Sequence, residues 1–234
     1  MRKWKYIIIS IAIIVTSLLI VKVKNASADV MEYMPVSNKI VVLDAGHGGI
    51  DPGAMNKDKT ILEKDINLEI TKKLRDLIEA SGGTVIMTRD KDVSLYEEDG
   101  NKTTRQKYNE NLRNRKKIID ESDADIFVSI HMTGNNDESA QGIQTFYRVE
   151  SEDASDELAT LVQKSAVAYV DLKDRGATPF TFGVLEGNNM PSILIQCGFL
   201  SNKEEAKKLT NPDFQKDLAE GISQGILSFL DAQG

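Results

Sequence analysis

Lys39-Ile40-Val41-Val42-Leu43-Asp44-Ala45-Gly46-His47-Gly48-Gly49 is the stretch that decides the fold. An apolar, β-branched run breaks into glycines around one histidine, the pattern of a buried strand ending in a tight loop that presents an imidazole. The chain has only two histidines, and His131 closes a run of the same kind, Asp125-Ile126-Phe127-Val128-Ser129-Ile130. Parallel strands bring their carboxyl ends to one edge of a sheet, so two such strand ends predict one shared site.

The flanking sequence supports a sheet of that type. Residues 62–80 read as an amphipathic helix with Ile66, Ile70, Leu74, Leu77 and Ile78 on one face, stopped by Ser81-Gly82-Gly83. Residues 84–88 form a second strand, and strand, helix, strand in that order implies a parallel pair. Further strands are expected at 126–130, 142–147, 181–185 and 192–197, with helices at 153–169, 203–209 and 212–230. A helix from Thr103 or Thr104 to Asp120 places Leu112 and Ile119 inward, and the polar segment 90–117 reads as a solvated helix face plus loop. The fold class is therefore α/β: a single domain with a mostly parallel or mixed twisted sheet, helices on both faces, and a site at the strand carboxyl ends.

The N-terminus is of a different kind. Arg2, Lys3 and Lys5 precede an apolar run from Tyr6 to Val21, then Lys22, Lys24 and the small triplet Ala26-Ser27-Ala28. Two readings stand, a signal peptide over 1–28 or an uncleaved membrane anchor, and both export the remainder. Residues 29–38 form a linker, and 39–234 the domain that carries both histidines. Residues 1–24 hold five of the 29 Lys and Arg and none of the 36 Asp and Glu, which leaves 24 cations against 36 anions, a net of −12. So acidic a domain is unsuited to nucleic acid. Cys197 is the single cysteine, so no internal disulfide supports the exported part.

Two histidines and one carboxylate are a common ligand set for a catalytic zinc, with water in the fourth position. Glu63 is the third candidate, because it opens the helix that follows the His47 loop. Zn2+ held by His47, Glu63 and His131 suits amide hydrolysis, which also needs a group that takes a proton from water and returns it to the leaving amine.

Four ordered motifs carry a family resemblance: Asp44-Ala45-Gly46-His47-Gly48-Gly49, Leu62-Glu63-Lys64-Asp65, Ser129-Ile130-His131 and Gly198-Phe199-Leu200-Ser201-Asn202. Together with Met87-Thr88-Arg89 and residues 142–147, they resemble the zinc-dependent N-acetylmuramoyl-L-alanine amidases, over about residues 39–230. The resemblance implies cleavage of the amide between muramic acid and L-alanine in peptidoglycan, with His47, Glu63 and His131 as zinc ligands. A catalytic domain on an export segment, without wall-binding repeats, resembles the family's CwlD-like sporulation branch, which acts in spore-cortex muramic-δ-lactam formation.

Two positions depart from the family pattern. Gln196 stands where the family has its catalytic glutamate, and Thr133 where it usually has asparagine. A glutamine keeps the shape of glutamate but carries no proton at neutral pH. The swap implies slow turnover unless another acid, Glu186 being nearest in sequence, takes over; the alternatives to an amidase are a catalytically silent peptidoglycan-binding or regulatory protein and another zinc hydrolase of wall material. Gly48, Gly49 and Thr133 are expected to line the substrate, and the incomplete site leaves room for an activating partner protein. Cys197, adjacent to Gln196 on a strand, should face the opposite side as a buried, inert thiol.

Overall fold

Val41, Val42 and Leu43 are fully buried in strand β1 (Ile40–Ala45), the first element of a six-stranded sheet in a computed structural model that describes residues 16–17, 36–97, 100–149 and 153–233. Apart from residues 16–17, the expected export segment 1–28 lies outside those residues, as does most of the expected linker. Among the described residues, no helix is long and apolar enough to cross a membrane.

The chain continues through α1 (Glu63–Ala80), β2 (Thr84–Met87), α2 (Thr104–Asp120), β3 (Ile126–Thr133), β4 (Ile143–Tyr147) and α3 (Ser155–Tyr169). It closes with β5 (Asp174–Pro179), β6 (Ser192–Phe199), α4 (Lys203–Leu209) and α5 (Pro212–Gln233). Strand order is β2-β1-β3-β6-β4-β5. The first four strands pair in parallel, β4 runs antiparallel to β6, and β5 is parallel to β4, so the sheet is mixed.

Alternation along the strands divides the core in two. Val41, Leu43, Val128, Ile130 and Ile195 face α1, α3 and α5, where Ile66, Ile70, Leu74 and Ile78 form the expected helix stripe. Val42, Phe127 and Leu194 face the other way, onto Ile119 of α2 and onto Val184 and Leu185. Helix α5 lies close against α3 because it offers glycines there. A Cβ at Gly225 would fall 2.5 Å from the Val162 Cα, so alanine would push the helices apart.

Two expectations fail here. Residues 181–185 form no strand; residues 183–187 are turn, and Val184 and Leu185 are apolar because they plug the smaller core cluster. The strand lies earlier, at Asp174–Pro179, a sheet edge where glycine and proline are tolerated because one side needs no partner. Leu112 does not turn inward: it is 37% exposed, whereas its neighbours on α2, Asn111 and Arg115, are buried.

Candidate metal centre

The loop after β1 is built to place His47 in an unfavourable backbone conformation. Its φ is +64°, in the left-handed region that is uncommon for any residue but glycine and persists where the surroundings fix it. Three buried side chains do so by taking the loop's carbonyls. Arg89 donates Nε to the Ala45 carbonyl at 2.8 Å and Nη2 to that of Gly46 at 3.0 Å. Asn67 donates to the Gly46 carbonyl at 3.1 Å, and Arg115 donates Nη2 to that of His47. Arg115 also pairs with Asp44, which accepts from Thr88 at 2.6 Å and Ser129 at 2.7 Å. Gly46 is needed where it stands, because a Cβ there would lie 2.3 Å from the His131 ring.

His47, Glu63 and His131 converge, with one potential ligand atom from each lying within 4.8 Å of the others. The imidazole centroids are 4.9 Å apart. Glu63 Oε1 is 3.2 Å from His47 Nε2 and 2.9 Å from His131 Nδ1, and it accepts the Met132 amide at 2.9 Å. Its other oxygen accepts the Ala54 amide at 2.6 Å. Burial would raise the Glu63 carboxyl, but hydrogen bonds from His131 and His47 hold it far below the usual carboxylate range. Burial would lower the His47 ring, but hydrogen bonds to Asp51 and Glu63 raise it from 6.5 to about 9. Three convergent donors with outer hydrogen bonds fixed by the protein are what a divalent transition metal requires, and the residues fit such an ion.

Asp51, which opens the turn-type sequence Asp51-Pro52-Gly53, supplies an orienting contact. Its Oδ2 meets His47 Nδ1 at 2.7 Å and its Oδ1 accepts the Gly53 amide at 3.1 Å. With Nδ1 engaged, Nε2 is the ring nitrogen directed toward Glu63.

The remaining candidates fall in different places. Gln196 is in register with His131, one strand spacing of about 4.8 Å away and on the same face. Thr133 ends β3 opposite Phe199, after a register shift. Gly48 and Gly49 are crowded by the chain itself, since a Cβ would lie 2.5 Å from the Val93 carbonyl and 2.3 Å from the Ser94 hydroxyl respectively. Glu186 is exposed on the turn, where its backbone carbonyl accepts from Lys116, and it does not line the cleft beside the histidines. Cys197 is fully buried in the larger core cluster, turned away from Gln196, and burial pushes its thiol pKa up. A cleft of about 210 Å³ opens beside the histidines, bounded by Asp44, Asn111, Leu112, Arg115 and Phe182.

Comparison with known proteins agrees with this geometry. The N-acetylmuramoyl-L-alanine amidase family model, Amidase_3, matches residues 41–228. The germination-specific N-acetylmuramoyl-L-alanine amidase of Bacillus subtilis (strain 168) is 35% identical over 202 residues, 86% of this chain and 84% of that protein. The structure of the CwlD amidase from Clostridioides difficile, solved in complex with the GerS lipoprotein, superposes with a TM-score of 0.81 at 53% identity, covering 83% of this chain and 100% of that one. An N-acetylmuramoyl-L-alanine amidase from Clostridium difficile 630 gives a TM-score of 0.74 at 40% identity, over 84% of this chain and 98% of that one.

Proposed function

The chain belongs to the N-acetylmuramoyl-L-alanine amidase family, and from that premise we propose that it is an exported zinc enzyme that cuts the muramoyl–L-alanine amide of peptidoglycan during spore-cortex formation. The convergence of His47, Glu63 and His131 carries the reading. The similarity to a germination-specific amidase and to CwlD supports the sporulation role. Export rests on residues 1–28, as signal peptide or membrane anchor, and places the domain on the extracytoplasmic side. The GerS complex of the CwlD relative supports a protein partner here as well.

Zinc at these residues would polarise the scissile carbonyl and bring the pKa of water from 15.7 to roughly 7. The chain's own groups supply the rest. Asp51 fixes the tautomer and direction of His47. The Ala54 and Met132 amides hold the Glu63 carboxylate in one rotamer. Hydrolysis joins the water oxygen to the carbonyl carbon, breaks the C–N bond and moves a proton to the departing alanine nitrogen. Gln196 sits where that proton carrier belongs; its amide can hydrogen-bond to water or substrate but cannot carry the proton. Such a carrier is worth typically 10²- to 10⁴-fold in rate, so slow turnover is expected.

Gln196 also supports a second reading, a silent wall-binding protein on an amidase scaffold. A muropeptide digest with the zinc-loaded full chain in detergent separates the two, comparing native protein with Gln196→Glu and His47→Ala. Slow release of L-alanine amino termini by native protein, gain with Gln196→Glu and loss with His47→Ala support the amidase. Product from Gln196→Glu alone makes the native role binding. Acetate in place of free alanine termini would make it a different hydrolase.

A further inference from the structure

The row of side chains that begins at the metal centre continues across the sheet. His131 on β3 pairs with Gln196 on β6, and Gln196 pairs with Gln144 on β4. Between β4 and β5 the register slips: Ile143 opposes Asp174 and Thr145 opposes Ala177, so Arg175 and Gly176 together face Gln144. Gly176 takes φ +79°, which glycine adopts without penalty. A bulge of this kind bends its strand and re-aims a side chain. Here the side chain re-aimed is Arg175.

Arg175 is exposed, yet its position is set by three neutral neighbours. Nε donates to Gln144 Oε1 at 3.2 Å, and Nη1 lies 3.4 Å from the Gln141 carbonyl. The guanidinium carbon is 5.2 Å from the centroid of the Phe199 ring, which belongs to β6, the neighbour of the His131 strand. Its stem crosses the bare face of Gly142, where a Cβ would come within 3.0 Å of Arg175 Cγ. Gln144 is itself fixed by donating to the Thr178 hydroxyl at 3.0 Å. The charged head thus reaches back from the edge strand toward the metal centre.

No carboxylate of the described residues pairs with it. Two acids on neighbouring segments are already engaged: Glu205 accepts the Gly142 and Phe199 amides, each at 2.7 Å, and Asp174 accepts from Gln163 and Gly176. On a chain of net charge −7, a guanidinium oriented by an amide, a carbonyl and an aromatic face, with its charge uncompensated, is a preorganised receptor for an anion.

Resting on the amidase reading, we propose that Arg175 binds a carboxylate of the stem peptide, that of the residue following the L-alanine, and so selects stems in which that group is a free acid. Reach fits the assignment. A head group lying over β4 and β6 is one to two strand spacings, roughly 5–10 Å, across the sheet from the His131 strand, and two residues of extended peptide span about 7 Å.

The test uses the zinc-loaded full chain and two soluble ligands, N-acetylmuramoyl-L-alanyl-D-glutamate and its α-carboxamide, with affinities measured by calorimetry in the cold. Native protein should prefer the free acid by about tenfold or more, the range for a hydrogen bond to a charged group. Arg175→Ala should bring the ratio close to one while leaving carboxamide affinity within twofold. Arg175→Lys, which keeps the charge but loses the fork, should keep part of the preference. Equal weakening of both ligands by Arg175→Ala would assign the residue a structural role and overturn the proposal, as would a preference that survives the substitution. If native protein binds both ligands equally, this proposal alone falls; if it binds neither, the amidase reading falls with it.

Discussion

Replacing Arg115 by methionine tests whether α2 holds the metal loop. The guanidinium is 5% exposed and donates to Asp44, to the Ala45 carbonyl at 2.9 Å and to the His47 carbonyl. Methionine keeps most of the bulk and removes every one of those donors. Asp44, 1% exposed, keeps the Thr88 and Ser129 hydroxyls but loses its cation. Removing one partner of a buried pair costs about 3–5 kcal/mol, and the two surviving hydroxyl bonds put this case near the lower end. In a domain of about 200 residues each kcal/mol moves the melting temperature by roughly 2–4 °C, so the metal-free variant should melt about 6–12 °C below native at pH 7. Zinc affinity should fall as well, because the His47 carbonyl is no longer held.

The pH dependence has a definite sign. Burial would raise the Asp44 carboxyl; Arg115, then the His131 ring and the hydroxyls of Thr88 and Ser129, outweigh it and bring the pKa from 3.8 down to about 2. A carboxyl depressed in the folded state adds stability that is complete above its unfolded pKa and is lost as pH falls through the folded one. That contribution, roughly 2 kcal/mol, is present in native protein from pH 7 down to about 4. Without Arg115, burial dominates and the folded pKa moves above the unfolded value, so the variant regains stability as Asp44 takes up a proton. The gap between native and variant melting temperatures should therefore narrow between pH 7 and pH 4, in chelator, by scanning calorimetry. A gap under 2 °C at pH 7, or one that widens in acid, refutes the reasoning.

Two further substitutions probe the centre itself. Gly46→Ala puts a Cβ 2.3 Å from the His131 ring, which must swing away, and zinc affinity measured against a chromophoric chelator should drop tenfold or more. Asp51→Asn removes the anion 2.7 Å from His47 Nδ1; losses on replacing such outer partners are typically about 10- to 100-fold in metal affinity, and an unchanged affinity would show that the Glu63 contacts alone orient the ring.

The convergence of His47, Glu63 and His131 could be read in the sequence because each histidine follows an apolar run with the pattern of a buried strand, and only two histidines exist to choose from. Parallel order then follows from the intervening helices. What stayed hidden was long-range or ambiguous in type. The polar helix α2 carries several cations, and nothing local marks Arg115 as the buried one, since its partner Asp44 lies 71 residues earlier. Asp51 sits in an Asp-Pro-Gly turn, a sufficient local reason for an aspartate, so its contact with His47 had no signal of its own. Strand β5 contains glycine and proline and lacks a run of β-branched residues, while the 181–185 segment has the apolar pattern of a strand and serves as a plug. Edge position decides the first, because tertiary pairing overrides weak propensity there.

On the proposed reading, position 196 should separate binding from turnover. Backbone register, not the side chain, sets it beside His131, so a glutamate there would occupy the same place as the glutamine. The substitution therefore changes charge and proton transfer while leaving the frame alone. A carboxylate at 196 would add a second anion near Glu63 and lie between the metal centre and Arg175, where it would compete with a substrate carboxylate for the guanidinium. With glutamine, the row from His131 through Gln196 and Gln144 to Arg175 has no anion in it. Acidic stem peptides should accordingly bind the native chain more tightly than its Gln196→Glu variant even as the variant cuts faster. On the proposed reading the same residue would set affinity and rate in opposite directions.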